Sequence, residues 1–287
     1  IPSAPWREAY RARAGGVTGG RARRAYGRQT ARPASPPSAT LCRMLRAVTL
    51  DFWNTLFVDR RGREREHRRA EWLSRELEKL GEPGTDAAIA GALAAGFSYF
   101  DQVWRDERRT PSASETTEAT LAALGVRLPD ERFAATVEHF ERLALDVPPE
   151  PVAGAGGALA TMAERFRLAV ICDTGYSPGG VLRELLDHQR MLETFSYLFF
   201  SNEHGMSKPD VRVFRHTLAQ LDVHAGEAAH VGDIQRTDIA GAQAAGMTAV
   251  HFVGANDRDV ARSTADLIVR HFDELPAALG GLVCPGC

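Results

Sequence analysis

Acidic side chains recur in this sequence at the points where short apolar runs stop. They are Asp51 after "AVTL", Asp173 after "RLAVIC", and Asp233 and Asp238 in "GDIQRTD" after "AAHV". Carboxylates that converge repel one another, so their pKa values rise unless a cation joins them. A hard divalent ion with oxygen ligands, Mg²⁺ above all, suits such a group. The set therefore predicts a Mg²⁺ site, in which a carboxylate left partly free could act as a nucleophile.

One lysine accompanies these acids. Lys208 lies in "GMSKPD" and is one of only two lysines among 35 basic residues, the other being Lys79. An ammonium group can neutralise both a nucleophilic carboxylate and an anionic substrate. The residues thus fit phosphoryl transfer through an aspartyl-phosphate. Each acid taken alone could instead cap the helix after its strand, but their order along the chain favours a common site.

The elements that must position these residues are short buried strands alternating with helices. Apolar runs predict strands at 47–51, 167–172, 197–201, 228–233, 248–253 and 266–269. Helical spacing is present between them at 180–192, 211–221 and 238–246. This alternation predicts an α/β fold with a parallel sheet. Ligands of such a sheet bind beyond the carboxyl ends of the strands, which is where the acids lie.

A second region departs from this alternation. Helical spacing is present at 65–81, 86–107, 115–125 and 130–145, turn residues separate these segments, and no strand is evident. We therefore expect a helical domain at 60–150, inserted after the first strand of an α/β core that consists of 47–59 and 151–287.

Residues 1–46 form a separate basic segment. They hold ten arginines and one acid, Glu8, and are rich in Gly, Ala, Pro and Ser. Such a composition cannot bury a core, so we expect a disordered tail. An upstream extension, a linker or transit-like segment, and a basic interaction arm are the three alternatives for its origin.

The order of the motifs resembles a known family. "DFWNTL", a Ser/Thr-type turn after the second strand, "KPD" and "GDxxxxD" resemble the haloacid dehalogenase (HAD) superfamily, over about residues 47–280. The resemblance implies a Rossmann-like parallel sheet flanked by helices. It also implies a hydrolase whose all-helical cap is inserted between the first and second motifs. The cap would close over the site, help to select the substrate and exclude water during transfer.

The resemblance assigns roles to individual residues. Asp51 would be the nucleophile, and Thr55 would support its loop and the bound phosphate. Lys208 would hold the nucleophile and the transferring phosphoryl group. The Mg²⁺ ligands would be Asp51, the backbone carbonyl of Trp53, Asp233 and Asp238, the last acting directly, through water or through the lysine.

The second motif has two candidates for its hydroxyl-bearing position. Counting from the strand end places Cys172 there, whereas Thr174 supplies the expected hydroxyl. A thiol is a poor hydrogen-bond donor, which favours Thr174 as the catalytic residue that binds the phosphoryl oxygen. Asp173 and Thr174 would both lie against the substrate's phosphate.

Trp53 departs from the pattern of the family's phosphatases, which usually carry a second Asp at this position. That Asp protonates the leaving oxygen and then activates water, and an indole N–H can do neither. General acid–base help is typically worth about 10²–10⁴-fold in rate. We therefore expect slow hydrolysis of ordinary sugar phosphates, unless another group takes over this role.

Three functions stay open at this point. The first is a Mg²⁺-dependent phosphohydrolase that acts on a small phosphorylated metabolite, and the sequence favours it. The second is dehalogenase-like hydrolysis by Asp51, since family dehalogenases carry a Tyr at the position of Trp53, although they lack the metal-type "GDxxxxD". The third is a catalytically poor binding or regulatory module.

The composition of the chain limits the classes of binding partner that we expect. No apolar run approaches the roughly 18 residues of a membrane span. The excess of arginine over lysine is general to the chain, which weakens its value as a sign of nucleic-acid binding. The four cysteines, including the terminal "CPGC", lack a second Cys/His pair with metal-ligand spacing and favour reduced thiols. We predict a cytoplasmic monomer or homodimer with a small-molecule substrate and no nucleic-acid or membrane partner.

Overall fold

A computed structural model of the chain describes residues 44–281. Most of the predicted basic tail and the terminal "CPGC" lie outside the described residues. The strands are β1 (Ala47–Leu50), β2 (Phe57–Val58), β3 (Glu150–Pro151), β4 (Arg167–Cys172), β5 (Tyr197–Phe200), β6 (Ala228–Gly232), β7 (Thr248–Phe252) and β8 (Leu267–Val269). Six of them form one sheet in the order β5-β4-β1-β6-β7-β8, with every pair parallel.

The predicted α/β fold with a parallel sheet is confirmed, and the six predicted strands all belong to this sheet. Strands β1 and β6 are buried along their whole length. Such strands are apolar without alternation because helices cover both faces of the sheet. One apolar cluster, which includes Leu50 and Val170, lies on one face, and another, which includes Ala47 and Ile171, lies on the other.

The helices flank the sheet or form a separate group. They are α1 (Gly62–Leu80), α2 (Asp86–Asp106), α3 (Ala113–Leu124), α4 (Asp130–Asp146), α5 (Ala155–Ala163), α6 (Gly179–His188), α7 (Ser201–His204), α8 (Val211–Leu221), α9 (Ala240–Ala245) and α10 (Leu275–Gly280). A π-helical turn at Gln235–Ile239 precedes α9. None of the described helices is long and apolar enough to cross a membrane.

Helices α1 to α4, here called the helical module, surround an apolar cluster of their own. Its buried members include Leu73, Leu93, Leu121 and Phe140, one from each helix. Ser112 and Glu115 form a capping box at the start of α3, which satisfies main-chain donors that the first turn leaves open. The module thus has an apolar cluster of its own, and a separate helical domain over 60–150 stays a prediction.

Two short strands that the sequence does not indicate join the module to the sheet. Strands β2 and β3 pair antiparallel through Phe57 with Pro151 and Val58 with Glu150. Two residues per strand are too few to show an alternating pattern. Arg65 of α1 is buried beside this pair, where it donates to the Val147 carbonyl oxygen over 2.7 Å. These contacts therefore hold the two chain segments that connect the helical module to the sheet next to each other.

Two glycines of α2 allow a matched test of packing in the module. A Cβ at Gly96 would lie 2.1 Å from Thr120 Oγ1, whereas a Cβ at Gly91 would meet nothing within 4 Å. We expect Gly96→Ala to lower the free energy of unfolding by about 1–3 kcal/mol through overpacking. Gly91→Ala should raise it by roughly 0.5–1 kcal/mol, because alanine favours the helix. Urea denaturation measures both changes, and shifts of the same sign would contradict the close approach of α2 to α3.

Candidate active site

Asp51 lies directly after β1, the strand between β4 and β6, so its carboxylate occupies the middle of the sheet's carboxyl edge. The residue is only 6% exposed. Lys208 Nζ donates to Asp51 Oδ1 over 2.5 Å, and Thr55 Oγ1 donates to Asp51 Oδ2 over 3.3 Å. Lys208, which is distant in sequence, thus joins Asp51 and Thr55 of one short segment in a hydrogen-bonded group, in which Lys208 is also buried.

Asp238 holds the same lysine from the other side. Lys208 Nζ donates to Asp238 Oδ1 over 2.7 Å, and the Ile234 N–H donates to Asp238 Oδ2 over 2.9 Å. His230 Nε2 lies 3.3 Å from Asp238 Oδ1, and His230 Nδ1 lies 2.8 Å from Thr49 Oγ1. Because a carboxylate only accepts, Nε2 carries the ring proton and Nδ1 accepts from the hydroxyl. Burial lowers the pKa of His230, although the hydrogen bond and the charge of Asp238 oppose the shift.

Asp233, after β6, has one carboxylate oxygen held and the other open. Asn256 Nδ2 donates to Asp233 Oδ2 over 2.7 Å. His251 Nε2 donates to the Asp233 carbonyl oxygen over 3.0 Å, while His251 Nδ1 accepts from Ser263 Oγ over 2.8 Å. No hydrogen bond from residues 44–281 reaches Asp233 Oδ1. Among the described residues, this oxygen therefore has no hydrogen-bond donor, although Asp233 is buried.

The three carboxylates form a concentrated negative site. One oxygen from each of Asp51, Asp233 and Asp238 lies within 4.8 Å of the others. Burial raises the pKa of Asp51 to about 7, although Lys208 opposes the shift. Burial, then Asp51 and Asp238, raise the pKa of Asp233 well above its usual range. Burial also opposes ionisation of Asp238, but Lys208 and His230 outweigh it and lower the pKa. One lysine does not balance this charge, so the donor set fits a divalent cation.

Asp173 has both carboxylate oxygens bound by protein groups. Trp104 Nε1, from α2 of the helical module, donates to Asp173 Oδ2 over 2.9 Å. The Lys208 N–H donates to Asp173 Oδ1 over 3.0 Å. The side chain therefore lies between the module and the Lys208 loop, and its contact with a phosphate stays a prediction.

Both candidates for the second-motif position are fully buried. Thr174 Oγ1 lies 3.0 Å from Ser201 Oγ and 3.4 Å from Thr110 Oγ1, so its hydroxyl is engaged with these two residues rather than with Asp51. Cys172 ends β4, and burial followed by the charge of Asp51 raises the pKa of its thiol well above the usual value. The Cys172 thiol therefore lies within the electrostatic field of Asp51.

Trp53 belongs to the tight turn that follows Asp51. Its half-buried ring lies edge-on to Phe52 with centroids 5.1 Å apart, and Phe52 stacks on Phe57 at 4.8 Å. Asn54 has a φ of +58°, a left-handed conformation that asparagine tolerates better than most residues. Its N–H donates to the Phe57 carbonyl oxygen over 2.6 Å. The indole thus packs against the turn that follows Asp51.

Residues 45–246 match a family model described as haloacid dehalogenase-like hydrolase. The chain belongs to this family. The matched range contains Asp51, Lys208, Asp233 and Asp238, so the motifs of this HAD-like hydrolase all lie within it. The family places the chain among the hydrolases and confirms the resemblance that the motif order indicates.

Similar proteins include enzymes of two kinds. Phosphoserine phosphatase from Thermus thermophilus is 37% identical over 120 residues, 42% of this chain and 47% of that protein. Phosphoglycolate phosphatase from Rhodospirillum rubrum is 33% identical over 168 residues, 56% of this chain and 67% of that protein. A 2-haloacid dehalogenase structure from Pseudomonas syringae has a TM-score of 0.58 at 22% identity, covering 83% of this chain and 99% of that one.

These likenesses differ in what they establish for this HAD-like hydrolase. The match to the Thermus protein spans about half of that protein's length. The likeness to the dehalogenase structure lies below 25% identity and shows the fold alone. Relatives named as phosphatases and a structural neighbour named as a dehalogenase share this fold. The fold alone therefore does not distinguish phosphate hydrolysis from dehalogenation.

Several partners of the acids in this HAD-like hydrolase belong to no sequence motif. His230 and His251 lie inside otherwise apolar strands, β6 and β7, and are fully buried. A polar side chain inside a buried strand must find a partner, and this signal could have identified both. Asn256 and Trp104 carry no such signal, because an asparagine in a loop and a tryptophan in a helix are both common.

Proposed function

We propose that the chain is a Mg²⁺-dependent phosphohydrolase that acts through an aspartyl-phosphate on a small phosphorylated metabolite. The observation that carries the proposal is Lys208 Nζ held between Asp51 and Asp238, with Asp233 Oδ1 open beside them. A buried cation against a carboxylate nucleophile provides a site for a transferring anionic group. The curated relatives named as phosphoserine and phosphoglycolate phosphatases support this reaction class.

The metal would be held by oxygen atoms around the open position of Asp233. The residues that would hold it are Asp51, Asp233 and the Trp53 main-chain carbonyl, with Asp238 behind them. Both Asp238 oxygens accept hydrogen bonds from protein groups, which makes Asp238 the anchor of Lys208 in this proposal. When bound, Mg²⁺ neutralises the carboxylates and the charge of the phosphoryl oxygens.

The chain's own residues supply the remaining steps. Asp51 attacks phosphorus, the bond to the leaving oxygen breaks, and water then hydrolyses the aspartyl-phosphate to release inorganic phosphate and free Asp51. Lys208 neutralises Asp51 in the resting site and the phosphoryl oxygens during transfer. Thr174 or Cys172 would lie against those oxygens from the end of β4. The helical module would act as the cap that excludes water during transfer.

Trp53 restricts the substrate that this site can use well. An indole cannot protonate a departing alkoxide, so the leaving group must depart with little help. Acyl phosphates, which are mixed anhydrides, and phosphate esters of acidic hydroxyl groups such as phenols meet this condition. The same aromatic residue favours dehalogenation as a second candidate, because halide leaves without a proton.

An assay with two substrates and two metal conditions tests the proposal. The purified chain would be incubated with an aryl phosphate and with a 2-haloacid, each with Mg²⁺ and with EDTA. Metal-dependent phosphate release is expected from the first substrate, and no halide from the second. Metal-independent halide release would replace the phosphohydrolase with the dehalogenase. Release of neither phosphate nor halide would favour a binding or regulatory module.

A further inference from the structure

One segment of the helical module reaches into the loops at the sheet's carboxyl edge. The segment runs from Trp104, near the end of α2, to Thr110, just before α3. Thr110 is buried, and its Oγ1 lies 2.5 Å from Ser201 Oγ, directly after β5. The Arg108 carbonyl oxygen accepts a hydrogen bond of 2.8 Å from the Ser207 N–H. These contacts attach the module to the core at the site itself, apart from the β2–β3 connection.

Within this segment, Trp104 contacts Asp173 of the candidate site. Its indole N–H donates to Asp173 Oδ2 over 2.9 Å, and Asp173 Oδ1 accepts from the Lys208 N–H over 3.0 Å. Arg236, from the π-helical turn that also carries Asp238, lies over the indole ring at 4.3 Å. A carboxylate that receives two N–H groups in different directions has little freedom to rotate. Asp173 therefore transmits the position of the indole to the main chain of Lys208.

Two consecutive main-chain amides are fixed in this way. The module binds the Ser207 amide directly through the Arg108 carbonyl and the Lys208 amide indirectly through Trp104 and Asp173. The Lys208 side chain leaves the backbone at this point and ends between Asp51 and Asp238. The lysine ammonium group lies at the end of a flexible four-carbon side chain, so its position depends on how well the main chain of the residue is fixed.

We propose that Trp104 is a positioning residue that couples docking of the helical module to the placement of Lys208, through the carboxylate of Asp173. With the module docked, the indole N–H fixes Asp173, and Asp173 fixes the Lys208 backbone so that the ammonium group meets Asp51. This series of contacts, from Trp104 through Asp173 to the Lys208 main chain, is here called the relay. With the module undocked, the relay is broken and Lys208 is no longer fixed against Asp51. The kinetic consequence rests on the proposed phosphohydrolase activity, whereas the structural consequence does not.

Trp104→Phe tests the relay, because phenylalanine keeps an aromatic ring and loses only the N–H donor. Trp72→Phe is the matched control, since Trp72 Nε1 donates to Thr136 Oγ1 over 3.0 Å entirely within the module. We expect Trp104→Phe to lower kcat by about 10- to 100-fold, the range for a lost hydrogen bond to a charged acceptor. Trp72→Phe should stay within about twofold of wild type, as expected of a change outside the site.

Amide hydrogen exchange gives a readout that does not depend on activity. We expect the Lys208 amide to exchange faster in Trp104→Phe than in wild type and in Trp72→Phe, because its acceptor Asp173 is no longer fixed. The adjacent Ser207 amide should follow, because it lies in the same loop. Unchanged exchange at both amides, or a kcat within twofold of wild type, would overturn the proposal. If wild type hydrolyses no phosphate ester, the proposed function fails and the exchange result alone decides the relay.

A second variant covers the case in which Trp104→Phe does not fold. Asp173→Asn keeps the shape of the side chain but offers one acceptor oxygen where the relay needs two. It leaves the Trp104 ring and the Arg236 stack in place, and we expect the same acceleration of exchange at Ser207 and Lys208. Wild-type exchange at these amides in Asp173→Asn would overturn the relay, whatever the Trp104 variant does.

Discussion

Asp51→Asn is expected to reduce phosphate release by on the order of 10⁴-fold or more, because the change removes the nucleophile of the proposed reaction. An amide oxygen can still accept from Lys208, so the lysine keeps an acceptor in this position. The variant also removes one of three converging carboxylates, which relieves like-charge repulsion. We therefore expect a folded protein without activity, measured as phosphate released from an aryl phosphate with Mg²⁺.

The control for this variant is the same substitution at an exposed position. Asp187, in α6, is exposed, and Asp187→Asn should leave both activity and the thermal midpoint at their wild-type values. Phosphate release by the Asp51 variant above the substrate blank, with a normal melting curve, would contradict nucleophilic catalysis by Asp51. Acid quenching should likewise trap a phosphorylated enzyme in wild type and not in the variant.

Trp53→Asp is expected to raise the hydrolysis of alkyl phosphates by about 10²–10⁴-fold relative to Trp53→Asn, which supplies the same shape without an ionisable group. The new carboxyl group would protonate the leaving alkoxide and then activate water. The gain should be smaller on an aryl phosphate, whose leaving group departs without a proton. Initial rates of the two variants on both substrates measure this difference.

The asparagine variant separates this gain from the packing that both substitutions lose. The indole contacts Phe52 and the cluster beneath β1, so each variant should lose up to about 3 kcal/mol in the free energy of unfolding. Equal rates for the two variants on alkyl phosphates would refute the idea that a missing acid limits this site. The indole would then be required by the turn that carries Asp51, or by the substrate.

The Asp51 and Trp53 experiments differ in how far the family resemblance supports the expected result. Relatives named as phosphatases support the proposed reaction class, and the contacts of Asp51 with Lys208 and Thr55 are compatible with its proposed role. At Trp53, by contrast, the chain departs from the pattern of the family's phosphatases. The Asp51 experiment therefore tests what the chain shares with its family, and the Trp53 experiment tests what is particular to it.

Much of the fold follows from the sequence because its strands are buried on both faces. The run 168–172 is apolar throughout and the run 228–232 is apolar apart from His230, and this pattern depends on local composition alone. The two-residue strands β2 and β3 are different, because their pairing depends on a contact between Val58 and Glu150 that is 92 positions apart (150 − 58). No local pattern carries that information.

The sequence by itself indicated that Asp51, Lys208, Asp233 and Asp238 would lie together, since each follows a strand or lies in a recognisable motif. Only the tertiary structure decided which of them contact one another. The strand order places β1 between β4 and β6, and this brings Lys208 between two carboxylates and leaves an oxygen of Asp233 open. It also brings Trp104 from a distant helix onto Asp173. Long-range packing fixes such contacts, and hydrophobic periodicity does not encode them.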